Sequence, residues 1–255
     1  MTQHVFYIEG GDNVGKSTTI SKLKETGFID LLAYNKIGFN KYPTSNLTDK
    51  INQIVTATNE LDKAHSIDKT INYRQAKNQL IDETIGFMIS DMNDSFSPHH
   101  TIPIFTKEDT CYICDRGPLS TYLYQYRGKD GLDTLDTIPL MNEKHLLEQF
   151  IKSYVPNTPN DLNIVILNNN KSIDDIHIDT TETIAYKKAF DNDIKLQTRI
   201  NNSLNNIVTM IKTDQLPKTH IRFYCIDIFD AMGRRKSPDD VCKELIQIIN
   251  STGGN

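Results

Sequence analysis

The chain of 255 residues has no apolar run approaching the roughly 18 residues that a membrane-spanning helix requires, which argues against a helical membrane protein. It also has no excess of positive charge. With 28 Lys and Arg against 33 Asp and Glu, the formal charge is −5, so the broad basic face of a general nucleic-acid binder is missing. A local group of cations could still hold phosphate. The N-terminus runs straight into a strand-like segment and leaves no room for a secretory leader, so a cytoplasmic protein is expected, in the host cytoplasm if the source is viral. The abundance of Asn, Lys, Ile and Asp fits an AT-rich genome of viral or phage type.

Cysteine is scarce as well. Of the four, Cys111 and Cys114 form a C-x-x-C spacing, which elsewhere carries metal or redox chemistry. Here they lie in Thr110-Cys-Tyr-Ile-Cys-Asp115, which reads as a buried strand. Residues three apart on a strand point to opposite faces, and no second pair exists, so packing is the expected role. No internal repeat is visible.

What is present alternates between two periods. Short apolar runs at 4–9, 110–114, 162–167 and 221–226, with a weaker one at 36–41, read as strands of a parallel sheet. Helical stretches are predicted at 16–25, 47–58, 66–93, 118–127, 142–154, 191–212 and 238–250. This order predicts a single α/β domain over 1–255: a three-layer fold whose central parallel sheet of about five strands is flanked by helices. Ligands then bind at the carboxyl ends of the strands. Two polar stretches look added to this scaffold, an insertion at 128–141 and a lid at about 168–190.

Gly10-Gly-Asp-Asn-Val-Gly-Lys16-Ser17 matches G-x-x-x-x-G-K-[ST] in full. The glycines let the backbone wrap close to phosphates so that successive N–H groups point at them, and the following helix adds its positive end. Lys16 would neutralise β- and γ-phosphate oxygens, and the Ser17 hydroxyl would bind Mg²⁺. Gly10, Asn13, Val14, Gly15, Lys16, Ser17 and Thr18 are therefore the expected ATP-binding residues. A second pair, Asp115-Arg116, ends the strand at 110–114. Its carboxylate can hold Mg²⁺ through water, and its guanidinium can clamp an acceptor phosphate.

These residues also carry a resemblance. Phe6-Tyr-Ile-Glu9-Gly10-Gly-Asp12-Asn-Val-Gly-Lys-Ser-Thr18 resembles the opening motif of thymidylate kinases. Asp115-Arg116-Gly-Pro-Leu-Ser120-Thr-Tyr-Leu-Tyr124-Gln125 resembles their second motif, with the same internal spacing. Lys41-Tyr42-Pro43 is similar to their Arg-x-Pro segment. The resemblance implies an ATP- and Mg²⁺-dependent kinase of a deoxynucleoside monophosphate, dTMP or a relative, and a homodimer acting on small nucleotides.

Carried over position by position, the resemblance gives Asp12 the sugar 3′-hydroxyl and Glu9 a place near the metal. Lys41 and Arg116 would hold the acceptor phosphate, and Phe87 would stack on the base. Tyr124, with Ser120 one turn before it, would crowd the 2′ position, and Gln125 would lie near the base. Three departures stand out. Asp91 occupies the position of the family's thymine-reading Arg and would suit a donor-rich base edge better. Asn13 replaces a basic loop residue found in some members, which makes Lys187 and Lys188 of the lid candidates to stabilise the moving phosphoryl group. Gly117 replaces an aromatic, which would enlarge the acceptor pocket. The remaining alternatives are a kinase of unphosphorylated deoxynucleosides and an ATPase or nucleotide-binding regulator that phosphorylates nothing.

Overall fold

The computed structural model describes residues 4–11, 14–26, 32–34, 75, 78, 82, 85, 111–124, 126–128, 138–155, 161–170 and 185–253. Five strands, β1 (His4–Glu9), β2 (Leu32–Tyr34), β3 (Cys111–Asp115), β4 (Asp161–Asn168) and β5 (Ile221–Asp227), form one sheet in the order β2-β3-β1-β4-β5. Every pairing is parallel. A parallel sheet needs a crossover between successive strands. The helices α1 (Lys16–Glu25), α2 (Pro118–Tyr124), α3 (Leu140–Tyr154), α4 (Ala185–Lys212) and α5 (Pro238–Gly253) lie in those connections and after the last strand.

The strands are mostly apolar because both faces of the sheet are covered. Alternate residues of β1 enter two separate clusters. Val5 and Tyr7 pack with Leu119, Tyr122, Phe150, Ile164 and Leu204, the side of α2, α3 and α4. Phe6 and Ile8 pack with Ile20, Leu23, Val165, Ile226 and Leu245, the side of α1 and α5. Each helix contributes a stripe of about 3.6-residue period: Ile200, Leu204, Ile207 and Val208 on α4, and Val241, Cys242, Leu245 and Ile249 on α5, are all buried. The start of α5 is capped by Ser237, whose Oγ accepts the Asp240 N–H at 3.2 Å, with Pro238 in the first turn, where a missing N–H costs nothing. The result is the three-layer α/β arrangement of P-loop kinases.

Several expectations shift. The strand expected at 36–41 lies outside the described residues, and β2 is found before it, at Leu32–Tyr34. Among the described residues this three-residue edge strand pairs with β3 alone. The helix expected at 118–127 ends at Tyr124 and passes into a 3₁₀ turn, Tyr126–Gly128. The insertion is not wholly peripheral: Ile138 is buried and α3 already begins at Leu140, while 129–137 is outside the described residues. At the lid, β4 runs to Asn168 and α4 starts at Ala185, earlier than the expected 191, leaving 171–184 outside the described residues. The helices expected at 47–58 and 66–93 fall outside them too, apart from Gln75, Asn78, Asp82 and Ile85, which are helical. Among the described residues no helix is long and apolar enough to cross a membrane.

Candidate active site

β1 and β3 are neighbours, with Ile8 opposite Asp115. Their carboxyl ends therefore bring the glycine loop and the Asp115-Arg116 turn together. At Gly10 the chain leaves β1 with φ +138°, and a Cβ there would stand 2.5 Å from the Leu167 carbonyl oxygen of β4. Only glycine fits both the conformation and the gap. The loop returns through Gly15, the left-handed N-cap of α1. Lys16 is buried, and its Nζ donates to the carbonyls of Gly10 (3.1 Å) and Gly11 (2.6 Å). A compact cation is thus held over the bend, at the positive end of α1.

Ser17 is exposed, and its hydroxyl donates to Asp115 Oδ2 at 3.3 Å. These two hard oxygen donors, one from the loop and one from the neighbouring strand, suit a magnesium ion. Among the described residues there is no group of three His, Cys, Asp or Glu that could hold a metal ion.

Arg116 turns the chain out of β3. Its φ of +69° is left-handed, a conformation that costs a non-glycine residue about 1–2 kcal/mol. Its N–H donates to the Ile8 carbonyl at 3.0 Å, which ties the turn to β1. The guanidinium lies 5.3 Å from the Tyr124 ring centroid, a cation–π arrangement. Its Nη1 donates to Ser120 Oγ at 3.4 Å. Ser120 is itself buried: its hydroxyl donates to Glu9 Oε2, and its N–H donates to Glu9 Oε1 at 3.1 Å. The Glu9 carboxyl, completely buried, thus has both oxygens hydrogen-bonded to Ser120. Burial raises its pKa above the ordinary value; the Ser120 bonds and the nearby Arg116 and Lys16 charges pull the other way.

Gly117 does not open space. A Cβ at this position would lie 2.2 Å from the Tyr7 ring, so that ring fills the room an aromatic after Asp-Arg would need. Cys114, one half of the C-x-x-C, is buried in the apolar cluster with Val5 and Tyr7.

Of the residues expected to act, Gly10, Val14, Gly15, Lys16, Ser17, Asp115, Arg116, Ser120 and Tyr124 are gathered around these two turns. Thr18, in the first turn of α1, is exposed. Asp12, Asn13, Lys41, Phe87, Asp91 and Gln125 lie outside the described residues. Lys187 and Lys188 lie in the first turn of α4.

One residue at the site has no motif to announce it. Phe229 and Arg235 bridge across a hairpin after β5. Asp230 pins its tip by accepting the N–H groups of Met232 and Arg234 at 2.9 and 2.8 Å. This hairpin brings the Arg235 guanidinium within 3.8 Å of where a Gly15 Cβ would stand.

The strand order and these two turns give the chain a P-loop kinase-like fold. No protein-family profile matches the sequence, and no curated protein matches it either. Among solved structures, the chain is similar to a thymidylate kinase from Ehrlichia chaffeensis, with 16% identity, 98% of this chain and 100% of that one covered, and a TM-score of 0.49.

Proposed function

We propose that the protein transfers the terminal phosphoryl group of ATP to the 5′-phosphate of a deoxynucleoside monophosphate, dTMP or a related nucleotide. The observation that carries this reading is the 3.3 Å contact between Ser17 and Asp115, which joins the glycine loop to the turn bearing Arg116. One cation, Lys16, then serves the donor's phosphates while another, Arg116, serves the acceptor's.

The loop amides and Lys16 hold the β- and γ-phosphates. Ser17 and Asp115 hold Mg²⁺, which when bound neutralises charge on the donor's phosphate oxygens. An acceptor phosphate oxygen forms the new bond to Pγ as the bond from Pγ to the β–γ bridging oxygen breaks, and ADP leaves. The acceptor is already ionised near neutral pH, so no general base is required. Catalysis comes from positioning and from charge placed around the moving group. Lys187 and Lys188, at the start of α4, supply cations where the loop has Asn13. Asp12 takes the sugar hydroxyl, Lys41 shares the acceptor phosphate, and Phe87, Asp91 and Gln125 set the base. Tyr124 excludes a 2′-hydroxyl. The active form is a homodimer in the cytoplasm.

The test is a panel of deoxynucleoside monophosphates and deoxynucleosides, each with MgATP, with the diphosphate or monophosphate product identified. The reading expects a diphosphate from at least one monophosphate and no product from nucleosides. Phosphorylation of a nucleoside alone, or ATP hydrolysis indifferent to every acceptor, would overturn it.

A further inference from the structure

The contacts around Ser120 have a direction. Glu9 Oε1 accepts the Ser120 N–H at 3.1 Å, and Glu9 Oε2 accepts the Ser120 hydroxyl. Because the hydroxyl's one proton goes to Glu9, its oxygen is left to accept, and Arg116 Nη1 donates to it at 3.4 Å. Arg116 can only donate. Glu9 and Ser120 are 0% and 3% exposed, so water does not compete for these bonds. The guanidinium also lies over the Tyr124 ring, 5.3 Å from its centroid.

We infer that Glu9 and Ser120 are positioning residues: the buried carboxylate orients the Ser120 hydroxyl as an acceptor, and that acceptor with the Tyr124 face aims the Arg116 guanidinium at the acceptor phosphate. The inference rests on the acceptor role proposed for Arg116, and it assigns Ser120 to Arg116 rather than to substrate. Neither positioning residue touches a reacting atom.

Glu9→Gln is the discriminating change because it preserves shape and reverses polarity. The Ser120 N–H needs an oxygen, so the amide oxygen must face it. The amide nitrogen then donates to Ser120 Oγ, taking one of its two lone pairs and leaving the hydroxyl proton without its Glu9 acceptor. The bond to Arg116 is no longer held in place, although no atom has moved far. Ser120→Ala removes the same bond by deletion.

The experiment measures kcat and KM for dTMP and for MgATP in wild type, Ser120→Ala, Glu9→Gln and the double variant. Both single variants should raise the acceptor KM about three- to tenfold, the loss of one charge-assisted bond, and leave the MgATP KM within about twofold. The double variant should raise it little beyond either single one, because all three lose the same contact. An unchanged acceptor KM in Glu9→Gln, or donor and acceptor KM rising together, would overturn the inference. The Arg116 guanidinium NMR signals give a second readout that also covers a poorly folding Glu9→Gln. They should be resolved in wild type and averaged in Ser120→Ala; signals equally resolved in both would overturn it. If wild type phosphorylates no monophosphate, the proposed function fails, and these signals still decide the positioning claim.

Discussion

The two turns that meet at the ends of β1 and β3 are built from different materials. The bend after β1 is made of backbone: Gly10 fits only without a Cβ, Gly15 is left-handed, and even Lys16 is held by two main-chain carbonyls. The turn after β3 is made of side chains, with Glu9, Ser120 and Tyr124 surrounding Arg116, and Tyr7 pressed against Gly117. A backbone device depends on a few adjacent residues and tolerates variation around them. A side-chain device depends on partners far apart in sequence, and each partner constrains the others. In the proposed reaction the donor half of the site is therefore the more generic half, and the acceptor half the more individual one.

Charge removal should break both halves, on opposite substrates. Lys16→Ala is expected to lower turnover about 10²–10³-fold, the cost of deleting one preorganised charge at a developing negative centre, with the fold intact by circular dichroism. Arg116→Ala should lower kcat/KM for the acceptor by a similar factor while ATP binding, measured by calorimetry, stays near wild type. Near-normal turnover in either variant would remove that residue from its assigned role.

Packing sharpens the comparison further. Gly117→Ala drives a methyl into the Tyr7 ring at 2.2 Å and should destabilise by about 1–3 kcal/mol, the range for overpacking a core. Combined with Tyr7→Val the two costs should fall short of their sum, as denaturant midpoints would reveal; strict additivity would mean that the ring does not fill the Gly117 space. On the donor side, Arg235→Ala should raise the KM for MgATP about three- to tenfold through loss of one exposed cation, with the acceptor KM unmoved. Parallel changes in both constants would place Arg235 elsewhere in the mechanism.

The smallest effect concerns pH. Burial raises the pKa of Glu9 above its ordinary 4.5, so the folded chain binds this proton more tightly than the unfolded one. The resulting stabilisation is complete below pH 4.5 and is lost as pH rises through the folded value, at no more than about 1.4 kcal/mol per pH unit. Wild-type stability relative to Glu9→Gln should therefore fall with rising pH across that window. A flat difference would show that the carboxyl titrates normally.

Much of this contrast governs what the sequence made legible. Apolar runs located β1, β3, β4 and β5 almost to the residue, because a strand covered on both faces has to be apolar along its length. The glycine loop was readable because its chemistry sits in one contiguous motif. The edge strand β2, only three residues long, is too short to leave a pattern. The pairs that shape the acceptor turn left no local trace: Glu9 and Ser120 are 111 residues apart, and nothing about Tyr7 or Gly117 alone announces that one makes room for the other. Arg235 was invisible for a similar reason, since only the pinned hairpin after β5 brings it to the loop. These are tertiary facts, settled when the sheet fixes its strand order.

The most direct measurement is a crystal structure with a non-hydrolysable ATP analogue, magnesium and dTMP. The account predicts β- and γ-phosphates seated on the amides between Gly10 and Ser17, magnesium beside Ser17 and Asp115, and the nucleotide monophosphate gripped by Arg116. An analogue bound away from that bend, or an Arg116 side chain directed away from the monophosphate, would contradict it.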